Sequence, residues 1–235
     1  MLKAVTFDFW GTLVDVSHAL TDERIAYLAA CLPHSRRKVA EAYRDAWIEF
    51  MRQSAQGLGL GTSTVLANVL DNLSATLSPQ QAAAVLRYWQ EVLIEYPPPF
   101  LPCVSDVMQD LCQRGLRIAL ISDTGFTPGS VLRRVLGAEG IRHCFDWLTF
   151  SNEIGVTKRR PYAFTSTLRA LGVSPSEALH VGDRLTTDMD GAKGVGMYTA
   201  LITESSGGEA NENVDFVLEH MADLPTMLVQ QGLID

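Results

Sequence analysis

The feature that most constrains this chain is a regular alternation of short apolar segments and helix-like segments along its second half. The apolar segments are rich in β-branched residues and are bounded by glycine or polar residues, as is typical of buried strands. Four of them are Leu116–Ile121, Trp147–Phe150, Ala178–Val181 and Met197–Ile202. Strands that alternate with helices are joined by crossovers and form a parallel sheet covered on both faces. The sequence therefore predicts an α/β fold.

A long helical stretch separates the first strand from the rest of this sheet. Lys3–Phe7 is a strand-like run that leads through Asp8 to a turn, whereas residues 16–96 are rich in Ala, Leu and Gln and contain no convincing strand. A proline-rich connector follows, and it marks a boundary because proline fixes φ and donates no backbone hydrogen bond. We therefore divide the chain into a core of residues 1–15 and 97–235 and an inserted helical cap of residues 16–96.

Local patterns inside the predicted cap indicate where its helices begin and what they bury. Ser78–Gln81 has a serine, a proline and a glutamine at the spacing of a capped helix start. Gly57–Gly61 alternates glycine with leucine and predicts a flexible connector. We interpret His18 as a solvent-exposed residue. The alternative is that its side chain faces a functional site at the hinge of the cap. Four aromatic residues are expected to pack within the cap, namely Tyr43, Trp47, Tyr88 and Trp89.

Composition excludes several classes of function. A net charge of −8 over 235 residues argues against a nucleic-acid binder, which would need a basic stripe. The longest apolar runs are far shorter than the ~20 residues that span a bilayer, and the N-terminal run has no signal-peptide pattern. The four cysteines form no CxxC pair, so we expect reduced, mostly buried thiols in a cytoplasmic protein. No feature of the sequence indicates the oligomeric state.

Polar residues stand at the carboxyl ends of several predicted strands, where parallel sheets bind their ligands. Taken one at a time, each has an ordinary explanation, such as an acid that caps a turn or a solvated surface lysine. Two acids at one edge repel each other unless a cation is present, however, and Mg²⁺ prefers such oxygen ligands. A carboxylate can attack an electrophile, and a lysine with a metal can neutralise a bound phosphoryl group. The residues concerned are Asp8, Ser122, Asp123, Lys158, Asp183 and Asp188.

Taken in order, these residues resemble the four motifs of the haloacid dehalogenase-like hydrolases. The motifs are Asp8-Phe-Trp-Gly11-Thr12-Leu13, Ser122, Lys158 and Gly182-Asp183-Arg-Leu-Thr-Thr-Asp188. The resemblance covers residues 1–15 and 97–205, and the helical insertion follows the first motif, as in that superfamily. It implies a Rossmann-like three-layer core with a mainly parallel sheet and an inserted α-helical cap.

The resemblance also implies a role for each motif residue. Asp8 would be the nucleophile that forms an aspartyl-phosphate, and Thr12 a neighbouring hydrogen-bond donor. Ser122 would bind phosphate through its hydroxyl, and Lys158 would stabilise the charge of nucleophile and substrate. The substrate, a small anionic molecule, would contact Trp10, Gly11, Ser122, Asp123 and Lys158.

The implied cofactor is Mg²⁺. In the metal-dependent branch of the family, it would be held by Asp8, Asp183 and the main-chain carbonyl of Trp10. Asp188 would orient a ligand or lie in the outer coordination sphere. The metal-ligating residues implied by the resemblance are thus Asp8, Trp10, Asp183 and Asp188.

Two positions depart from the family pattern. Phosphatases of this superfamily usually carry a second aspartate two positions after the nucleophile, as general acid and base, and here that position is Trp10. The lysine motif usually continues Pro-Asp-Pro, whereas here Lys158 is followed by Arg159 and Arg160. We interpret the two arginines as surface residues, with binding of a substrate anion as the alternative.

Three functions are therefore weighed. A Mg²⁺-dependent phosphatase of a small phosphorylated metabolite is favoured, because Asp183 and Asp188 would repel an anionic substrate if no cation were present. A metal-free 2-haloacid dehalogenase is the alternative that Trp10 favours, since halide leaves without a proton. Arg36, Arg37 and Arg44 are then available for a substrate carboxylate, although none can be assigned. A weakly active or non-catalytic ligand-binding relative is the third. The substrate itself has no readable signature.

Overall fold

Six parallel strands form one sheet in the described part of the chain, which comprises residues 1–16, 20–204 and 210–235 of a computed structural model. The strands are β1 (Ala4–Phe7), β2 (Arg117–Ser122), β3 (Trp147–Phe150), β4 (Ala178–Gly182), β5 (Tyr198–Ile202) and β6 (Phe216–Leu218). Their order across the sheet is β3-β2-β1-β4-β5-β6, and every neighbouring pair runs parallel. This sheet confirms the predicted α/β fold.

Helices cover both faces of the sheet. The helices are α1 (Thr21–Cys31), α2 (Arg36–Ser54), α3 (Thr62–Asn72), α4 (Pro79–Glu95), α5 (Val104–Gln113), α6 (Gly129–Ala138), α7 (Ser151–Ile154), α8 (Pro161–Leu171), α9 (Asp190–Gly194) and α10 (Asp223–Gln230). One apolar cluster joins the sheet to α5, α6 and α10, and a second joins the opposite face to α8 and α9. None of the helices among the described residues is long and apolar enough to cross a bilayer.

The central strands β1 and β4 are buried on both faces, as a sheet between two helical layers requires. Every residue of both strands is buried. Along β1, Val5 and Phe7 join the first apolar cluster, whereas Ala4 joins the second. The strand order reverses where β1 lies between β2 and β4, and ligands of such sheets bind beyond the carboxyl ends of the strands at this point.

The helices α1–α4 share an apolar cluster of their own. Trp89 and Tyr43 are buried in it, and Trp47 and Tyr88 are half-buried against it, so the prediction that these aromatic residues pack inside the helical segment is confirmed. The predicted helix start at Ser78–Gln81 is also confirmed, because the two end residues form a reciprocal capping box. The segment inserted between β1 and β2 thus carries its own apolar centre.

The glycine-rich connector between α2 and α3 is docked on the core. The Gly59 N–H donates to the Gly155 carbonyl at 3.0 Å, and the Thr157 N–H donates to the Gly57 carbonyl at 3.2 Å. Gly57 has a φ of +91°, and a Cβ at this position would collide with the side chain of Arg160. The connector predicted to be flexible thus has backbone polar groups that pair with a core loop.

The cysteines are free, but the expectation that most of them are buried is wrong. Cys144 is buried and Cys31 is half-buried, whereas Cys103 and Cys112 are exposed. Cys103 precedes α5 in a left-handed conformation, with a φ of 62°. Cys112 lies on α5 but is not among the residues that this helix buries. Sequence position alone does not reveal which face of an amphipathic helix a thiol occupies.

Candidate active site

The predicted strand-end residues come together at the carboxyl edge of the sheet. Asp8 directly follows β1, Ser122 is the last residue of β2, and Asp183 directly follows β4. Asp188 lies on a π-helical turn, Leu185–Met189, which returns it to the end of β4. Such wide turns frequently mark functional sites, because they displace a side chain from the regular helical surface.

Lys158 joins two of these acids. Its Nζ lies 2.6 Å from Oδ1 of Asp8 and 2.5 Å from Oδ1 of Asp188, and all three side chains are buried. Burial alone would lower the pKa of Lys158, but the attraction of Asp188, Asp8 and Asp123 outweighs it and raises this pKa. The lysine therefore stays a cation inside the site.

Both carboxylate oxygens of Asp188 are engaged by protein donors. Oδ1 lies 3.2 Å from Nε2 of His180 in addition to its contact with Lys158, and Oδ2 accepts from the Arg184 N–H at 3.0 Å. Burial would raise the pKa of Asp188, but Lys158 and His180 together outweigh this effect and lower the pKa to about 2. Asp188 is thus an ionised acid held from several sides.

His180 is the functional candidate that the sequence analysis missed. Its Nδ1 lies 2.8 Å from the Thr6 hydroxyl, and its side chain is fully buried in β4. Burial lowers the pKa of His180, so the imidazole is neutral at neutral pH even though Asp188 opposes this shift. The available signal was a single histidine inside an otherwise apolar strand that runs into Gly182.

Three carboxylates crowd one place in the described residues. Asp8, Asp183 and Asp188 each offer an oxygen within 4.8 Å of the others. Burial, then repulsion from the other two acids, raises the pKa of Asp8 well above its ordinary value, although Lys158 opposes this. Burial and repulsion from Asp188 raise the pKa of Asp183 to about 6. One ammonium group faces three acids, so a divalent cation would restore the charge balance.

Three buried oxygens of this site have no hydrogen-bond partner within the residues that the structure describes. They are Oγ1 of Thr12, Oγ of Ser122 and Oδ1 of Asp183. Buried polar atoms in native proteins nearly always have a partner, so these atoms fit a ligand. The hydroxyls suit the oxygens of an anion, and the carboxylate oxygen suits a hard cation such as Mg²⁺.

The turn after β1 approaches Asp183 closely. Gly11 has a φ of +76°, and a Cβ on it would lie 2.5 Å from Oδ2 of Asp183, so only glycine fits both the conformation and the space. The Gly11 N–H donates to the Val14 carbonyl at 2.8 Å and closes the turn. Trp10 is half-buried, and its ring meets that of Phe9 edge to face at 4.9 Å.

The remaining predicted positions lie around this centre. Asp123 is half-buried, and its Oδ1 accepts from the Lys158 N–H at 2.9 Å, which holds the backbone that carries the lysine. Arg159 and Arg160 are both exposed, and Arg160 donates to the Gln56 carbonyl at 2.9 Å.

The arginines of the helical segment that the dehalogenase alternative raised are all exposed. These are Arg36, Arg37 and Arg44, of which Arg36 pairs with Asp22 and Arg37 with Glu41. His18 lies outside the described residues.

The loop that follows Ser122 inserts an aromatic ring into the helical segment. Phe126 is 8% exposed and stacks on Tyr43 and Trp47, with ring centroids 5.2 Å and 4.9 Å apart. Its edge-to-face contact with Trp89 spans 5.5 Å, and the guanidinium of Arg24 lies 4.6 Å from its centroid. The loop that follows Ser122 is therefore fastened to the helical segment.

Comparisons with known proteins agree with this geometry. A family model described as haloacid dehalogenase-like hydrolase matches residues 2–196. The curated protein named glyceraldehyde 3-phosphate phosphatase from Methanopyrus kandleri is 29% identical over 234 residues, which cover 97% of this chain and 96% of that protein.

Solved structures share the fold. A HAD phosphatase from Thermococcus onnurineus matches with a TM-score of 0.74 at 23% identity, over 97% of this chain and 98% of that one. A 2-haloacid dehalogenase from Pseudomonas syringae matches with a TM-score of 0.75 at 21% identity, over 98% of this chain and 100% of that one. The fold is thus common to both kinds of enzyme and does not choose between their reactions.

Proposed function

The chain belongs to the haloacid dehalogenase-like hydrolase family, and from this premise we propose that it is a Mg²⁺-dependent phosphatase of a small phosphorylated metabolite. The observation that carries the proposal is the buried group of Asp8, Asp183 and Asp188 with one lysine. A metal-free reaction of an anionic substrate would have to proceed against this excess of negative charge, whereas a divalent cation removes it.

Asp8 is the proposed nucleophile. Its carboxylate attacks phosphorus, the bond to the leaving oxygen breaks, and an aspartyl-phosphate forms. Water then attacks the same phosphorus, releases inorganic phosphate and regenerates the carboxylate of Asp8. Lys158, 2.6 Å from this carboxylate, offsets the negative charge of nucleophile and phosphoryl group throughout. The hydroxyls of Ser122 and Thr12, which lack protein partners among the described residues, donate to phosphoryl oxygens.

The proposed metal site uses Asp8, Asp183 and the main-chain carbonyl of Trp10. Mg²⁺ bound there would act as a Lewis acid that neutralises phosphoryl charge. Asp183 is the better direct ligand of the two motif-four acids, because its Oδ1 has no partner in the described residues, whereas both oxygens of Asp188 are engaged. We assign to Asp188 the role of holding Lys158. Gly11 allows the turn after β1 to approach Asp183 closely.

Trp10 sets the expected speed of the reaction. An indole neither donates nor accepts a proton usefully at neutral pH, so the leaving oxygen must take its proton from water or from the substrate. A positioned acid or base typically contributes about 10²–10⁴-fold to rate, and the proposed enzyme lacks this contribution at residue 10. We therefore expect a preference for good leaving groups and an accumulating adduct on Asp8.

The substrate class follows from the relatives. Because the Methanopyrus kandleri protein is named a glyceraldehyde 3-phosphate phosphatase, a three-carbon phosphate ester is the first substrate to test. We further propose that residues 16–96 act as a cap domain above the site. A cytoplasmic location is proposed because all four cysteines are free thiols.

The dehalogenase is the second candidate, and Trp10 is the observation that favours it. The deciding experiment offers glyceraldehyde 3-phosphate, p-nitrophenyl phosphate and 2-chloropropionate to the purified protein, with Mg²⁺ or with excess chelator. We expect release of phosphate that requires Mg²⁺ and no release of chloride. Chloride release that persists in chelator would replace the phosphatase by the dehalogenase, and no turnover of any ester would favour a non-catalytic relative.

A further inference from the structure

A buried chain of hydrogen bonds runs from β1 to the candidate nucleophile through His180. Thr6 and His180 are register partners in the parallel pair β1–β4, and the Thr6 hydroxyl lies 2.8 Å from Nδ1 of His180. Nε2 of His180 lies 3.2 Å from Oδ1 of Asp188, which also binds Lys158. We propose that His180 is a positioning residue, which fixes Asp188 and thereby holds Lys158 against Asp8.

The donor and the acceptor of each of these hydrogen bonds follow from the chemistry of the residues. An ionised carboxylate can only accept hydrogen bonds, so Nε2 of His180 must carry the proton that points at Asp188. A neutral imidazole then has an acceptor at Nδ1, and the Thr6 hydroxyl donates to it. The carboxylate of Asp188 thus selects the tautomer of His180, and the Thr6 hydroxyl, which also lies 3.4 Å from the Leu179 carbonyl, holds the other ring nitrogen.

Because these hydrogen bonds are buried, losing one of their donors is costly. Thr6, His180 and Asp188 are 0% exposed and Lys158 is 2% exposed, so water cannot replace a lost donor at low cost. The edge-to-face contact of Phe164 with the imidazole, at 5.1 Å between centroids, fixes the ring plane.

If His180 served only to join β1 to β4, its hydrogen bond with Thr6 would be enough. Here the second ring nitrogen, Nε2, also donates to the carboxylate of Asp188, which binds Lys158. Without this donor, Oδ1 of Asp188 keeps only the ammonium group. The carboxylate can then pivot about Oδ2, which the Arg184 N–H still holds, and Lys158 is less firmly fixed against Asp8.

This inference rests on the proposed function for its meaning in catalysis, so its test uses one readout with turnover and one without. Acetylation of Lys158 by an N-hydroxysuccinimide ester, followed by mass spectrometry, reports how firmly the ammonium group is held. The chain offers internal references, because its other lysines are Lys3, Lys38 and Lys193.

The variants are chosen by the atom that each one retains. His180→Leu removes both ring nitrogens, whereas His180→Gln keeps an N–H donor at the distance of Nε2. Thr149→Val is the matched control, because it removes another buried, hydrogen-bonded hydroxyl, 2.6 Å from that of Thr167, on the edge strand β3 of the same sheet. Thr6→Val removes the donor to Nδ1 with little change of shape, and it serves if His180→Leu does not fold.

We expect His180→Leu to accelerate acetylation of Lys158 and to lower kcat for p-nitrophenyl phosphate by about 10–100-fold, the usual cost of losing a group that orients a catalytic ligand. His180→Gln should restore most of both, and Thr6→Val should change both in the same direction as His180→Leu. Thr149→Val and the acetylation of Lys193 should match the wild type.

Two results would overturn the inference. One is acetylation of Lys158 at the wild-type rate in His180→Leu, or in Thr6→Val if the former does not fold. The other is equal acceleration in Thr149→Val, which would indicate general loosening of the core. A wild-type protein without turnover of any phosphate ester contradicts the proposed function alone, and the acetylation rates still decide the role of His180.

Discussion

Replacing Phe126 with alanine tests whether the loop after Ser122 is fastened to the helical segment. Phe126 lies on a core loop, yet its ring is buried among Tyr43, Trp47 and Trp89. Truncation of a buried Phe to Ala typically costs 3–5 kcal/mol, from lost transfer free energy and the cavity that remains. Because only 8% of the residue is exposed and its ring packs on three other aromatic rings, we expect a cost of about 4 kcal/mol.

The measurement is unfolding by urea and by heat, each followed by circular dichroism and tryptophan fluorescence. For a chain of this length, a loss of about 4 kcal/mol corresponds to a fall in Tm of about 8–16 °C. Because Trp47 and Trp89 both touch Phe126, the fluorescence change should also precede the loss of helix signal in the variant. The two transitions should coincide in the wild type.

Phe126→Leu is the control, since it keeps most of the apolar volume while removing the stacked ring. It should cost about 1 kcal/mol, as volume-conserving apolar exchanges do. If Phe126→Ala also costs no more than about 1 kcal/mol, the ring does not join core and helices, and the reasoning fails.

Further predictions concern the site itself. Asp183→Asn should weaken Mg²⁺ binding more than Asp188→Asn in isothermal titration, because both oxygens of Asp188 already have protein partners. Asp8→Asn should abolish turnover and the phosphate adduct seen by intact-mass spectrometry, because an amide is a poor nucleophile. Trp10→Asp should raise kcat for poor leaving groups by up to about 10²-fold, and an unchanged kcat would show that another group supplies the proton. Gly11→Ala should lower kcat/KM without unfolding the core, since its Cβ would meet Asp183.

The sheet and most of the acid cluster were predictable from the sequence because their signals are local. Apolar segments such as Ala178–Val181 are buried on both faces, and the position of Asp8 directly after a strand places it at one edge. Parallel strands bring their carboxyl ends together, so the acids of β1 and β4 meet without any further information.

The remaining features depend on contacts between residues far apart in sequence. Nothing near Gly57 shows that its carbonyl will accept from Thr157, and nothing near Phe126 shows that Tyr43 will stack on it. His180 is recognisable only after β1 and β4 are paired, because its partner Thr6 is a strand residue with no chemical motif around it. Tertiary packing, not local preference, determines each of these.

The docking of the helical segment on two core loops bears on how such enzymes can be re-engineered. Phe126 ties the helices to the loop that follows Ser122, and Gly57 with Gly59 ties them to the loop that carries Lys158. A graft that exchanges only residues 16–96 with a homologue would leave both joints mismatched. The minimal interchangeable unit therefore includes these two loops, so an exchange of the helices also has to move the segments that carry Ser122 and Lys158.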